Sequence, residues 1–189
     1  MAARSNRRTR ERAVTLLEQA AVRAVDSRVR DYAVLSLGRA LVAVDRDADA
    51  MARFLSLWEA VPAGPFAADA GFEASRCATR LGDTARSTAL LRQVAREHPE
   101  GGMLARIRWE LVLAELVAGN DAAALERLDA ALVRMDRGDG VAFGAVERLR
   151  YFRGVVLDRM GRRAEALREL RRVARGDPWS FYGAPAAAR

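Results

Sequence analysis

The stretch LRYFRGVVLDRMGRRAEALRELRRVARGDPWSFYG, residues 149–183, decides how this chain folds. It reads as two antiparallel helices closed by an exit of Pro178-Trp179-Ser180-Phe181-Tyr182-Gly183. Gly154 stands where the two helices must approach closely, because a side chain there would hold the backbones apart. Gly161 ends the first helix, Ala166 keeps the crossing small, and Pro178 stops the second.

The same punctuation recurs toward the N-terminus. Helix-ending turns align at Gly82-Asp83, Gly119-Asn120 and Gly161-Arg162, with Asp45-Arg46 as a glycine-free equivalent. Five residues beyond each turn start comes a small residue: Ala50, Ser87, Ala124 and Ala166. Nine beyond comes a large apolar one, Phe54, Leu91, Leu128 or Leu170. Seventeen beyond stand Pro62, Pro99, Asp136 and Pro178, where the second helix of each pair should stop. Such helix-turn-helix units follow tetratricopeptide spacing. The turn glycines lie 37 residues apart (82 to 119) and then 42 (119 to 161), longer than the usual period of about 34. The connections or first helices must therefore be lengthened.

The expected fold is all-α: a right-handed α/α superhelix, a tetratricopeptide-like solenoid of about ten helices. Helices are expected near 7–25, 28–44, 47–60, 66–81, 84–97, 103–118, 121–135, 141–160 and 163–175, with a last short one from 178. Val61–Pro65, His98–Gly102 and Arg137–Gly140 are linkers, none of them long or polar enough to separate domains. The organisation is a basic arm and helix over 1–26, then repeats within 27–177 (about 31–64, 68–101, 105–138 and 147–178), and a junction segment over 178–189. Each pair buries an apolar stripe, as with Leu125, Leu128, Ala131 and Leu132.

The exit narrows the comparison. Pro178-Trp179-Ser180-Phe181-Tyr182-Gly183, followed by small residues, resembles the end of the superhelical region of soluble lytic murein transglycosylases, just before their catalytic domain. There the pattern is roughly Pro-x-Ser-aromatic-Tyr-Gly and then a small-residue helix; Pro185 is a departure that the first helical turn can accept. The resemblance is specific over about forty residues of the chain and architectural elsewhere. It implies a non-catalytic scaffold that positions a peptidoglycan-cleaving domain, a periplasmic address, and partners comprising that domain and the glycan itself. The family's Glu-Ser acid and Gly-Leu-Met-Gln segment are missing from these 189 residues. The chain alone is expected not to cut glycan. The other reading is a free-standing tetratricopeptide-repeat adaptor that binds a protein or peptide.

Composition limits the alternatives. All 32 basic residues are Arg, with no Lys, against 25 acids, for a net charge of +7. A phosphate-binding patch has no reason to exclude Lys, and the acids are interleaved at helical spacing, as in Arg163-Glu165-Arg168-Glu169-Arg172. Nucleic acid is therefore not the expected partner, and the cluster Arg4, Arg7, Arg8, Arg10 and Arg12 reads as an N-terminal arm. No run of apolar residues is long enough to span a membrane, and the start does not read as a secretory signal. If the address is periplasmic, the signal lies outside these residues; otherwise the chain is cytoplasmic. Cys77 is alone and His98 has no sequence neighbours that would complete a metal site. Cys77 is expected to be buried, and His98 exposed at a helix end. No catalytic, cofactor-binding or metal residues are expected.

The surface most suited to binding is the face made by the first helix of each pair. One level holds Leu35, Phe72, Trp109 and Tyr151. Neighbouring levels hold Tyr32, Arg106 and Arg148, then Arg39 and Arg76, then Arg80 and Arg159. Aromatics beside arginines suit an extended peptide, acidic groups or stacked sugar rings; the competing reading is that the aromatics pack between pairs and the arginines are solvated. With no Lys and only Asn6 and Asn120, the Lys/Asn pattern of a chaperone-binding carboxylate clamp is absent. Pro178, Trp179, Ser180, Phe181, Tyr182 and Gly183 form a domain junction if a neighbour packs on them, or a hydrophobic cap if they fold back.

Overall fold

The first helix begins almost at the start of the chain and carries the basic arm with it. In the computed structural model, residues 2–99, 103–136 and 145–188 are described. Ten helices lie among them: α1 (Ala2–Arg23), α2 (Ser27–Val42), α3 (Asp47–Ala60), α4 (Ala67–Arg80), α5 (Thr84–Glu97), α6 (Leu104–Val117), α7 (Asp121–Asp136), α8 (Ala145–Arg159), α9 (Arg163–Gly176) and α10 (Gly183–Ala187). No strand occurs among the described residues. The linker positions 100–102 and 137–140, the expected start of the eighth helix at 141, and the side chain of Arg4 lie outside the described residues.

The helix-ending turns share one backbone device. Gly82, Gly119 and Gly161 have φ of 82°, 74° and 77°, and Asp45 has 62°, the one non-glycine in the left-handed region among the described residues. That conformation ends a helix by turning its final carbonyls onto amides beyond the turn. Thus the amides of Arg46, Asp83, Asn120 and Arg162 donate to the carbonyls of Leu41, Ala78, Glu115 and Leu157. The next helix then starts at once. Asp83 caps α5 by accepting from the Arg86 amide at 2.9 Å, as Asp26 caps α2 through the Val29 amide.

Two compact units, Met1–Ile107 and Arg108–Arg189, share the chain, with the division inside α6. In the first, α1 packs on α2, α2 on α3, α3 on α4 and α4 on α5. Its core holds Leu35, Leu41, Phe54, Phe72 and Val94, all 2 % exposed or less. Trp58 lies buried with its indole N–H donating to Glu97 Oε2 at 2.9 Å, so its one polar atom is satisfied. Cys77 is fully buried, with the Arg80 guanidinium 3.1 Å from its sulfur. Burial pushes the thiol up, and the pull of Arg80 in the other direction does not overcome it.

The second unit is built around Val112, Ala124, Leu128, Val156, Leu157 and Ala166. The small and large repeat positions do the same work in both units: Ala50, Ser87, Ala124 and Ala166, with Phe54, Leu91, Leu128 and Leu170, are all buried. In the second unit Glu115 is buried as well, and Arg127 meets one of its oxygens through two nitrogens at 3.1 and 3.2 Å, while Asn120 donates to the other at 3.1 Å. That network ties α6 to the start of α7 and to its middle. A buried carboxylate is tolerable only with such partners.

Candidate interaction surfaces

In the first unit, the first-helix face is bridged by ions rather than left open. Arg39 on α2 and Arg76 on α4 converge on Glu73, at 3.5 and 3.4 Å. Arg80 pairs with Asp47 at the start of α3. Arg106 lays its guanidinium over the Phe72 ring, 4.7 Å from the centroid. Phe72 itself is 1 % exposed. It is a core residue of α4 and offers no surface to a ligand, because α4 turns it toward the interior while its neighbours at 73 and 76 face outward. Tyr32 is the exposed aromatic of this face; one side of its ring leans on Phe66 at 5.7 Å.

In the second unit the pattern repeats one repeat later. Arg148 on α8 stacks over Trp109 on α6 at 4.2 Å, as Arg106 stacks over Phe72. This is a cation–π arrangement, which holds a guanidinium in place without neutralising it. Trp109 also meets the edge of Phe152 at 5.0 Å, and Tyr151 contacts Phe152 and Tyr182 at 5.5 and 5.6 Å. Trp109 and Tyr151 are therefore half-buried packing residues. Arg159 pairs with Asp121 at 3.1 Å. Sequence spacing finds the arginines and aromatics of these faces but not their acidic partners. Glu73, Asp47 and Asp121 lie on other helices or other faces, and only Glu73–Arg76 has a local signature.

The junction divides in two. Ser180, Tyr182 and Gly183 are built into the fold. The Ser180 hydroxyl donates to the Asp177 carbonyl at 2.9 Å and accepts from the Gly183 amide at 2.9 Å. The Asp177 carboxylate accepts from the Trp179 amide at 3.1 Å. Gly183 lies so close to the Asp177 carbonyl oxygen that a Cβ would overlap it. Tyr182 packs with Tyr151 against Leu170, Val173 and Ala186. These bonds hold 178–182 in consecutive turns, which is why the last helix begins at Gly183 and not at Pro178. Trp179 and Phe181, by contrast, are 94 % and 84 % exposed. The three aromatics are not one block: one caps the last helix pair and two face solvent.

His98 is also not the exposed residue expected. It is half-buried at the end of α5, with Nε2 shielded from solvent and without a hydrogen-bond partner among the described residues. No group of three or more His, Cys, Asp or Glu able to hold a metal occurs among the described residues. No helix among them is long and apolar enough to cross a membrane.

The fold matches solved helical-repeat structures over most of its length. A kinesin light chain-like protein from Podosopora anserina with nearly identical TPR-like repeats is 20% identical, with 91% of this chain and 89% of that one aligned at a TM-score of 0.67. BtubC from P. vanneervenii is 13% identical over 91% of this chain and 74% of its own, at 0.72. YrrB, a TPR protein with an unusual peptide-binding site, is 17% identical over 98% and 87%, at 0.63. No family model and no curated protein matches the sequence. The fold is a tetratricopeptide-like helical solenoid; identities this low establish the fold alone.

Proposed function

We propose that this chain is a protein-interaction adaptor whose first-helix faces receive a peptide or protein segment. The observation that carries the reading is the repeated stack of Arg106 on Phe72 and of Arg148 on Trp109. An arginine laid on an aromatic ring loses little further rotamer freedom when it binds, so its remaining N–H groups stand ready for backbone carbonyls or carboxylates. Exposed Tyr32 adds a ring of the amphipathic kind that binding surfaces favour. The likeness to YrrB, a TPR protein with a peptide-binding site, supports the same use of the fold. Panning a random peptide display library against the immobilised protein tests it. Enriched peptides should lose binding to Tyr32→Ala or to Arg106→Ala; enrichment of nothing, or of peptides indifferent to both changes, would refute the proposal.

A second reading keeps one specific observation in its favour. Trp179 and Phe181 are exposed directly after the last helix pair, while Ser180, Tyr182 and Gly183 fix the turn that presents them. That is the arrangement a scaffold would need to seat a following domain, as in the superhelical region of soluble lytic murein transglycosylases. In this reading the partners are a catalytic domain and peptidoglycan, and the place of action is the periplasm. Binding to purified sacculi, lost in Trp109→Ala or Tyr151→Ala, would favour it over the adaptor. Sacculi that sediment without the protein would remove it.

A further inference from the structure

The positive charge of this chain is unevenly spread. Residues 145–188 hold ten Arg against five acids, so most of the net +7 resides in that segment. Three of those arginines line one cleft. Between α7, α8 and α9 lies a depression of about 360 Å³ whose charged lining is Arg150, Arg153, Arg172, Asp129 and Glu169. Arg153 is held from two sides, by Asp129 at 2.6 Å and by Glu169 at 3.2 Å. Arg172 leans on Glu169 at 3.5 Å. The two carboxylates thus fix two guanidiniums and leave the third without an ionic partner among the described residues. That third is Arg150.

Apolar surface completes the site. Leu132 and Val133 of α7 line the same cleft, and Val133 is 50 % exposed. On α9, Arg168, Arg171 and Arg175 are exposed. We propose that this cleft docks an acidic segment of a protein partner, with one carboxylate on Arg150 and an apolar side chain against Leu132 and Val133. The inference rests on the adaptor reading but places the contact on a different surface from the stacked arginines.

The chemistry favours a peptide carboxylate over a polyphosphate backbone. A nucleic acid presents closely spaced phosphates and needs a row of unneutralised cations. Here Asp129 and Glu169 sit among the arginines and would repel a continuous line of anions. One free guanidinium beside an apolar wall suits a single carboxylate, which it can meet with two parallel N–H bonds. The exposed arginines of α9 would speed encounter without fixing a register.

Fluorescence anisotropy with a labelled peptide of repeated Glu-Leu-Asp-Glu, and with its neutral Gln-Leu-Asn-Gln counterpart, tests the proposal. Each variant is first checked for an unchanged helical melt. The acidic peptide should bind and the neutral one should not. Arg150→Glu should weaken binding about tenfold, the loss expected of a reversed contact charge, and Val133→Asp should weaken it too. Arg86→Glu, an exposed change of the same charge on α5 in the first unit, should have little effect. Absence of binding overturns the inference, as does equal weakening by Arg150→Glu and Arg86→Glu, which would mean attraction to net charge only. Displacement of the peptide by an oligonucleotide or inorganic polyphosphate, with Val133→Asp silent, would replace it with a polyanion site. Panned peptides that bind through Tyr32 and Arg106 while the acidic peptide fails would leave the adaptor reading standing without this cleft.

Discussion

The Leu170 side chain fills the space that a side chain on Gly154 would need: its Cγ lies 2.8 Å from the position of a Cβ built there. The relationship recurs in the first unit, where the Phe54 ring covers Gly38 in the same way. In both cases the glycine precedes the helix-ending turn by seven residues and the large side chain follows it by nine. The two helices of a pair lock through this contact. Gly154→Ala should therefore destabilise the fold by about 1–3 kcal/mol through overpacking, read as a lowered thermal midpoint. Adding Leu170→Val should recover part of the loss; no recovery would place the strain elsewhere.

Asp45 makes the opposite kind of prediction. It holds a left-handed φ of 62° where the equivalent turns have glycine. Its side chain is exposed and no hydrogen bond compensates it among the described residues. Asp45→Gly should stabilise the protein by about 0.5–1 kcal/mol, because glycine adopts this conformation without the Cβ penalty. Asp45→Val should cost more than that gain. A denaturant titration of the three proteins decides it.

The junction aromatics should separate cleanly in a melt. Tyr182→Ala removes a ring packed on Tyr151, Phe181 and the end of α9, a loss of about 1–3 kcal/mol. Trp179→Ala and Phe181→Ala remove mainly exposed surface and should leave the midpoint within about 0.5 kcal/mol of the parent. Equal effects at all three positions would contradict the division seen here.

Acid sensitivity should be traceable at the start of α9. Arg162 grips both oxygens of Glu165, at 2.7 and 2.8 Å, and this bond, with the attraction of the same guanidinium, lowers the carboxyl's pKa. A carboxyl lowered on folding adds stability above its unfolded value and loses it as pH falls through the folded one. Parent and Glu165→Gln should thus differ most near neutral pH and converge in acid. The pair is exposed, so the difference is small and should shrink with salt; a difference that grew in acid would reverse the sign argued here.

Much of the fold was legible because the repeat spends its distinctive residues on geometry. Turn glycines, the small residue five beyond and the large one nine beyond report backbone conformation and close packing, and both leave marks in sequence. Asp45 could be aligned with glycines it does not resemble because its neighbours at 50 and 54 kept register. Surfaces were less legible. Phe72 and Tyr32 sit at neighbouring levels of the same repeat pattern, yet one is core and the other exposed. That choice depends on the facing of each helix against its neighbours, which the period does not encode. The cleft at Arg150 leaves no mark in sequence for a related reason: its residues come from three helices, and nothing in their spacing brings 129, 150 and 172 together. In the junction, the pattern marked all three aromatics, whereas the hydrogen bonds of Asp177 and Ser180 decide which of them turns inward.

A segment of another protein held on the first-helix faces should slow backbone exchange there. Hydrogen–deuterium exchange of the full chain, with and without a panned peptide at saturating concentration, tests it most directly. Exchange should slow in the first helices α2, α4, α6 or α8, and the slowing should vanish in Tyr32→Ala or Arg106→Ala proteins that still melt normally. Protection confined to the second helices α3, α5, α7 and α9, or none at all, would contradict this binding.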